Sequence, residues 1–248
     1  MSLIETESII LRSYNLAEAD KIVVLLTRDH GVVRGVAKGA KRLKSKFGSG
    51  LEPFSFVNCT YFEKDTSDLV SIQKIEIDES NFAAASDPDF LQKFSYLGDL
   101  LVSFLAPHDP NETVFRMVRA AITTAAADRA TLPAIGVYFE LWLLKLSGYL
   151  PDWSKCDSCG NDFREGESAS LLSNSHLSCE RCRKSNRRLG IDERNLVASA
   201  LKLSPDAFST AHAADIEAIG NLSTVLKTMI SQAIGREVAA EKPFALTV

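Results

Sequence analysis

Four of the five cysteines occur as two close pairs, Cys156-x-x-Cys159 and Cys179-x-x-Cys182, with nineteen residues between the pairs. Each pair presents two thiolates from one tight turn, and Gly160 supplies the backbone freedom that such a turn commonly needs. Two such turns brought together complete a tetrahedral set of four sulfur ligands for zinc. The spacing therefore predicts a Zn²⁺ site formed by Cys156, Cys159, Cys179 and Cys182.

A zinc ion held by four thiolates has a closed coordination sphere, so no position remains for activating water or polarising a substrate. The predicted role of Zn²⁺ is therefore structural. It would order an insert of about thirty residues that has too few apolar residues to fold alone. The alternative is two disulfides or idle thiols, but a reducing compartment and this spacing favour metal. His176, three residues before Cys179, is interpreted as a spare surface histidine.

A basic, glycine-rich segment from Gly31 to Leu51 is the second feature that could do chemistry. It holds six positive side chains and no Asp or Glu, although the whole chain has 28 Lys and Arg against 32 Asp and Glu. Spaced cations suit a nucleic-acid backbone, whereas the P-loop string that would bind a mononucleotide is absent. The predicted phosphate contacts are Arg34, Lys38, Lys41, Arg42, Lys44 and Lys46.

Phe47 lies within this run and is predicted to be exposed, where its ring could stack on an unpaired base. Tyr61 is the second aromatic residue expected at the surface, because the other aromatic side chains nearby are needed to fill a core. The alternative for the whole segment is a loop that is merely solvated.

The elements that must position the basic segment are five predicted strands in the first eighty residues, which fit a small barrel. The alternation in the last strand slips near Gln73 and Lys74, which indicates a β-bulge that bends the strand. The strands are SIILRSY (8–14), KIVVLLT (21–27), VVRGVAK (32–38), FVNCTYFE (56–63) and LVSIQKIEI (69–77).

After Asp78 the apolar spacing becomes that of helices. Asp87 followed by Pro88 predicts the start of a helix that lasts until Pro107. Asn111 opens a second helix, and a third runs from about Pro133 until Gly148. The tail from 192 to 240 is also predicted to be helical, with interruptions at Ser204-Pro205 and Gly220-Asn221. These apolar faces predict a helical bundle.

Composition places the chain among ordinary globular proteins, with 248 residues and 46% hydrophobic content. Its beginning lacks the basic start and apolar run of a secretory signal, and no stretch has the roughly 18 apolar residues of a membrane span. We therefore expect a cytoplasmic protein with no membrane partner. Residues 1–50 carry nine Lys and Arg against five Asp and Glu, so a polyanion would meet this part first.

The barrel with RGVAKGAKRLKSKFGSGLEPF, followed by helices that contain a CxxC…CxxC module, resembles the RecO family of bacterial DNA repair and recombination mediators. The most specific stretch is 35–54, preceded by ESIILRSYNLAEADKIVVLLTRDHG in the order that the family shows. The resemblance covers about residues 5–80 and the cysteine module. The C-terminal helices match only in character and length.

The resemblance implies an α+β multidomain protein. Its N-terminal domain is a five-stranded OB-fold barrel (1–80), followed by an all-α domain (81–150 and 190–248) with the zinc module inserted (151–189). The implied function is to bind single- and double-stranded DNA at the basic residues named above and to anneal complementary strands. The implied partners are RecR and single-stranded-DNA-binding protein, whose acidic tail would contact the helical region, and indirectly RecA. The implied location is the bacterial nucleoid.

Two other functions compete with this interpretation. A metal-dependent nuclease or phosphoryl transferase needs clustered carboxylates or histidines around an open metal, whereas the four histidines are scattered and Cys59 has no neighbouring base. We therefore predict no catalytic residue and no enzymatic activity. An RNA-binding or transcription-associated zinc-ribbon protein stays open, because counterion release does not distinguish DNA from RNA.

Overall fold

The computed structural model describes residues 2–16, 18–63, 68–164, 166–182 and 185–235. Two compact units divide the chain: the first reaches from the N-terminus to Ala126, and the second begins at Ala127. The prediction for the tail beyond Gly235 lies outside the described residues. The division into 1–80, a helical domain and an insert at 151–189 stays a prediction.

Five strands in the first unit form a closed barrel, in the order β1-β2-β3-β5-β4. All neighbours are antiparallel except β3 and β5, which pair in parallel at Gly35–Val70 and Val36–Ser71. This closed five-stranded arrangement is that of the OB-fold, so the predicted fold is confirmed. The strands are β1 (Ser2–Asn15), β2 (Lys21–Thr27), β3 (Gly31–Ala37), β4 (Phe56–Glu63) and β5 (Val70–Glu79).

Three shifts of register among the described residues bend the strands around the barrel. Thr60 pairs with Lys74 and Tyr61 with Ile72, so Gln73 is the extra residue of a bulge, which confirms the predicted slip. The other two shifts lie in β1 between Ile10 and Arg12 and in β4 between Phe56 and Val57.

Apolar side chains fill the barrel, among them Ile10, Val23 and Leu25, each with no exposed surface. Gly35 faces this core, where an added Cβ would lie 2.7 Å from Cγ1 of Ile72. Only glycine fits at this point of β3, because the side chains of Val70 and Ile72 on β5 leave no room for a Cβ atom.

The connection from β3 to β4, residues 38–55, is here called the basic loop. It is a run of turns tied to the barrel by backbone hydrogen bonds: Lys41 N–H donates to the Ala19 carbonyl at 2.9 Å, and Phe54 N–H to the Ile10 carbonyl at 2.7 Å. Phe47 and Leu51 of this loop are only 3% and 4% exposed and pack into the barrel core.

The predicted exposure of Phe47 is therefore wrong. The loop needs apolar anchors. Burying an aromatic ring in the core lowers the free energy of the folded state, whereas leaving the ring in solvent does not. The predicted exposure of Tyr61 is also wrong: its side chain is 0% exposed and points into the barrel.

Three helices complete the first unit: α1 (Phe82–Ala85), α2 (Pro88–Phe104) and α3 (Glu112–Ala127). The predicted helix starts are confirmed, because Asp87 Oδ1 accepts from Phe90 N–H and Asn111 Oδ1 from Val114 N–H, both at 3.0 Å. These side chains satisfy backbone donors that the first helical turn leaves unpaired. The ring of Phe54, at the end of the basic loop, packs 5.9 Å from that of Phe90.

The second unit is mainly helical, with α4 (Leu132–Leu146), α5 (Ile191–Ala200), α6 (Pro205–Ala211) and α7 (Ile216–Ile234). Gly148 follows α4 with φ of +76°, as predicted for its end. The predicted interruption at Gly220-Asn221 is wrong, since α7 runs through it and the break lies just before Ile216. A helical glycine costs about 1 kcal/mol, which the buried face of α7, including Leu222 and Leu226, outweighs.

The cysteine insert lies between α4 and α5 and contains a small sheet with the order β7-β6-β8. Its strands are β6 (Ala169–Leu171), β7 (Leu177–Ser178) and β8 (Arg188–Leu189). Within the described part of the chain, none of the helices combines the length and apolar content that crossing a bilayer requires.

The burial of Phe47 leads to a prediction about stability. Phe47→Ala should lower the free energy of unfolding by about 3–5 kcal/mol, because it leaves a cavity in the barrel core. Leu43→Ala is the matched control in the same loop: Leu43 is fully exposed, and its loss should change stability by less than about 0.5 kcal/mol. Urea unfolding measures both changes, and equal effects would contradict the anchoring role of Phe47.

Candidate nucleic-acid interface and metal centre

The basic residues singled out in the sequence all lie at the protein surface. One is on β3, with its side chain outside the barrel, and five are in the basic loop. The exposed cations are Arg34, Lys38, Lys41, Arg42, Lys44 and Lys46. Positive charge is thus displayed over a short, continuous piece of the chain.

Five of these cations have no carboxylate partner among the residues that the structure describes; they are Arg34, Lys38, Arg42, Lys44 and Lys46. Lys46 Nζ lies 5.0 Å from the centre of the Phe47 ring. The carboxylate of Asp20 accepts at 2.8 Å from the backbone N–H of Gly39, so it orders the loop. Unpaired surface cations can each bind a phosphate without first breaking an ion pair.

The turns of the basic loop explain this display. Arg42 N–H donates to the Gly39 carbonyl at 3.1 Å, and Ser45 N–H to the Arg42 carbonyl at 2.9 Å. Gly39 has a φ of +72°, which glycine adopts without strain. Because Phe47 turns inward, the polar side chains on either side of it remain in water.

The outer face of β1, β2 and β3 adds two residues that the sequence analysis missed. Arg12 pairs in register with Val24, which in turn pairs with Arg34, so the two arginines lie on one face. Tyr14 follows Arg12 by two residues on the same strand face and is 45% exposed. The signal was in SIILRSY, but the shift of register between Ile10 and Arg12 conceals which side chains point outward.

Two cations elsewhere on the barrel, Arg28 and Lys74, differ because they are paired. Arg28 contacts Glu112 at 2.9 Å and Glu7 at 3.4 Å, and Lys74 contacts Glu76 at 2.6 Å. The hydrogen bond to Glu112 and the neighbouring carboxylates raise the pKa of Arg28. These cations are already neutralised and are poor candidates for phosphate binding.

The residues considered for catalysis are either buried or held by contacts with other side chains. Burial raises the pKa of Cys59 to about 12, so this thiol stays protonated inside the barrel. Asp78 Oδ2 accepts from Arg119 Nη2 at 2.9 Å. His212 contacts Asp215 through Nδ1 and Ser199 Oγ through Nε2, both at 2.7 Å.

The structure brings the four predicted metal ligands together. The sulfur atoms of Cys156, Cys159, Cys179 and Cys182 all lie within 4.8 Å of one another. Zinc–sulfur bonds of about 2.3 Å in a tetrahedron imply sulfur–sulfur distances of about 3.8 Å, so this set fits a metal ion. Gly160 has the expected positive φ, +71°, and its N–H donates to the Cys156 carbonyl at 2.8 Å.

The environment of Cys156 favours a thiolate. Burial by itself raises the pKa of this thiol, but hydrogen bonds from backbone N–H groups of Cys179, Cys159 and Ser158 and from the Ser178 side chain outweigh it and lower the pKa to about 6. The Cys179 N–H lies 3.2 Å from the Cys156 sulfur. These donors compensate the buried negative charge that a metal ligand must carry.

Cys182 shows the opposite behaviour. Hydrogen bonds with Cys179 and Cys159 raise its pKa to about 12. These hydrogen bonds favour the protonated form of Cys182, and a bound cation would favour its thiolate instead. His176 is outside the cluster and contacts Asp157 at 2.7 Å, as expected for a spare surface histidine.

A cavity of about 750 Å³ lies in the second unit. Apolar side chains line it together with three cations, Lys145, Arg164 and Arg194, and one carboxylate, Asp152. Hydrogen bonds from Ser154 lower the pKa of Asp152, which keeps it ionised. The Arg194 guanidinium lies 4.7 Å from the Phe163 ring centre.

Comparison with known proteins gives a consistent result over nearly the whole chain. The family model "Recombination protein O N terminal" matches residues 1–81, and "Recombination protein O C terminal" matches residues 86–241. A similar protein is the DNA repair protein RecO of Koribacter versatilis (strain Ellin345), 32% identical over 158 residues. The matched part is 64% of each chain, slightly less than two thirds of that relative.

Two further relatives are from bifidobacteria. The DNA repair protein RecO of Bifidobacterium longum subsp. infantis is 36% identical over 162 residues, 64% of this chain and 67% of that protein. The DNA repair protein RecO of Bifidobacterium animalis subsp. lactis (strain AD011) is 36% identical over 178 residues, 68% of this chain and 71% of that protein.

Proposed function

This chain belongs to the RecO family of DNA repair proteins, and we propose that it is a recombination mediator that binds single- and double-stranded DNA and anneals complementary strands. In this proposal it acts with RecR and single-stranded-DNA-binding protein to load RecA, in the bacterial cytoplasm at the nucleoid. It does so as a binding protein, without bond-making chemistry of its own.

One observation carries the proposal: six exposed cations follow one another along β3 and the basic loop, and five of them have no ion pair among the described residues. Each cation that neutralises a phosphate releases counterions, which favours binding without regard to base sequence. Such contacts suit annealing, because the strands must be held close while their bases stay free to pair. The family favours DNA over the RNA-binding alternative.

Zinc is the proposed occupant of the four-cysteine cluster. Thiolate sulfur is the ligand that zinc prefers in closed structural sites, and four such ligands leave no open position for chemistry. The ion would neutralise the Cys156 thiolate and tie together two turns that β6 and β7 separate along the chain.

The cavity of the second unit is the proposed site for the acidic tail of single-stranded-DNA-binding protein. Its apolar lining, which includes Trp153, Ile191 and Leu201, suits a hydrophobic residue of the tail. Lys145, Arg164 and Arg194 outnumber the single carboxylate among the lining residues and would attract the acidic ones.

The DNA-binding role is tested by replacing Lys41, Arg42 and Lys44 together with Ala. The variant should bind every DNA sequence more weakly, and its log Kd should depend less steeply on log salt, by about 0.7–0.9 for each phosphate that the variant no longer neutralises. Annealing of complementary oligonucleotides coated with single-stranded-DNA-binding protein, without ATP, should slow in parallel. An unchanged salt slope contradicts the assignment.

A matched control for this variant is Arg28→Ala with Lys74→Ala. Both residues are barrel cations that already contact carboxylates, so their loss should change the salt slope much less. RNA of the same sequence tests the RNA-binding alternative. If ATP is required for annealing, the mediator proposal fails.

Metal content tests the cysteine cluster. Purified reduced protein should contain one equivalent of zinc, and chelation should unfold the insert while DNA binding by the barrel partly persists. Cys159→Ser should lose the metal, whereas Cys59→Ala, which removes a thiol outside the cluster, should keep it. Reduced wild-type protein without metal, or metal loss in the Cys59 variant, contradicts the zinc site.

The partner cavity is tested with a fluorescent acidic peptide that has a hydrophobic C-terminal residue. Arg164→Glu should weaken its binding about tenfold, equivalent to about 1.4 kcal/mol, through charge reversal at the cavity. Lys202→Glu reverses an exposed charge that does not line the cavity and should have little effect. Fluorescence anisotropy measures both, and equal losses would argue for non-specific attraction.

A further inference from the structure

Tyr14 is an exposed aromatic residue on a strand face that the fold leaves open. It pairs in register with Ile22 of β2, which pairs with Val36 of β3. Ile22 and Val36 are half-buried, and Tyr14 itself is 45% exposed. The ring thus stands at the edge of a small apolar strip, with an accessible surface on which a flat ligand can stack.

Two arginines flank this ring. The Arg12 guanidinium lies 5.4 Å from the centre of the Tyr14 ring and is held by an ion pair with Asp99 of α2. Arg34 is exposed and has no ion-pair partner among the described residues. Arg12 and Arg34 are two strands apart, a distance of about 10 Å for neighbouring strands about 4.8 Å apart.

The phenol of Tyr14 is neutral at physiological pH. Burial raises its pKa above the ordinary value and Asp99 adds to this effect, while Arg12 and Arg34 oppose it. A neutral ring stacks on a base without repelling the neighbouring phosphates.

The strip leads to the basic loop. Val36, the β3 residue of the strip, lies two residues before Lys38, the first residue of the basic loop. The nearby carboxylates are engaged: Asp99 contacts Arg12, and Asp20 accepts from the Gly39 N–H. Glu18 is exposed at the turn between β1 and β2 and limits the strip on that side.

We propose that this face is a binding subsite for one unpaired nucleotide of single-stranded DNA, with the base stacked on Tyr14 and a neighbouring phosphate bound by Arg34. The subsite rests on the proposed DNA-binding function and deepens it. In a duplex both faces of a base are already stacked, so Tyr14 contributes only to binding of single strands. The basic loop contacts phosphates alone and serves both forms of DNA. The chain would therefore distinguish single-stranded from duplex DNA through the ring of Tyr14.

The test compares Tyr14→Ala with Tyr14→Phe at one salt concentration, using a single-stranded oligonucleotide and its duplex. Tyr14→Ala should weaken binding of the single strand about 5- to 150-fold, the range for one stacked base, and should change duplex binding less than about twofold. Tyr14→Phe keeps the ring and should bind like wild type. Tyr149→Ala, which removes an exposed tyrosine of the second unit, should alter neither affinity.

A second measurement separates stacking from a structural role of Tyr14. A single strand whose nucleotides lack bases should bind the wild type and Tyr14→Ala equally, because only the stacked base senses the ring. Equal losses for single strand and duplex, or failure of the Phe variant to restore binding, overturn the subsite. If wild type binds neither form of DNA, the proposed function itself fails; if it binds both and Tyr14→Ala is unchanged, only the subsite fails.

Discussion

The burial of Phe47 and Leu51 in the barrel core is the interaction on which the proposed DNA-binding surface depends. These side chains anchor a connection that otherwise consists of turns and would gain conformational entropy by leaving the barrel. The anchored loop shows its polar side chains to water because the apolar ones are used inside. The cations therefore stay together, although their mutual repulsion would spread them on a free chain. Packing thus supplies the free energy that holds like charges in one place.

Pairing, rather than the number of cations, decides where a polyanion can bind. Arg28 and Lys74 also lie on the barrel, but their carboxylate partners would have to be displaced by a phosphate. Beside the basic loop, the carboxylate of Asp20 accepts from the backbone N–H of Gly39, and five of the six cations have no carboxylate partner among the described residues. An acidic chain can thus bind a polyanion, provided that its negative charge is placed beside other cations. Net charge alone does not reveal this arrangement.

The sequence predicted the barrel strands, the bulge at Gln73 and the first residues of α2 and α3, because alternation and capping are local signals. It also predicted that the four paired cysteines come together, since their spacing is a property of the chain itself. It could not place Phe47, because only the closed barrel shows that the loop needs an anchor. It also missed Tyr14, because a shift of register in β1 decides which side chains face outward, and this shift is visible only once the strands are paired.

The cysteine cluster depends on a different balance from that of the barrel. Burial of the Cys156 sulfur opposes its ionisation. The backbone N–H groups around it nevertheless lower its pKa, so the fold stabilises a thiolate at a buried position. Hydrogen bonds with Cys179 and Cys159 raise the pKa of Cys182, so the surroundings of this thiol favour its protonated form. A cation at the centre would convert the repulsion between thiolates into attraction. The four sulfurs, all within 4.8 Å of one another, are therefore compatible with a bound metal ion.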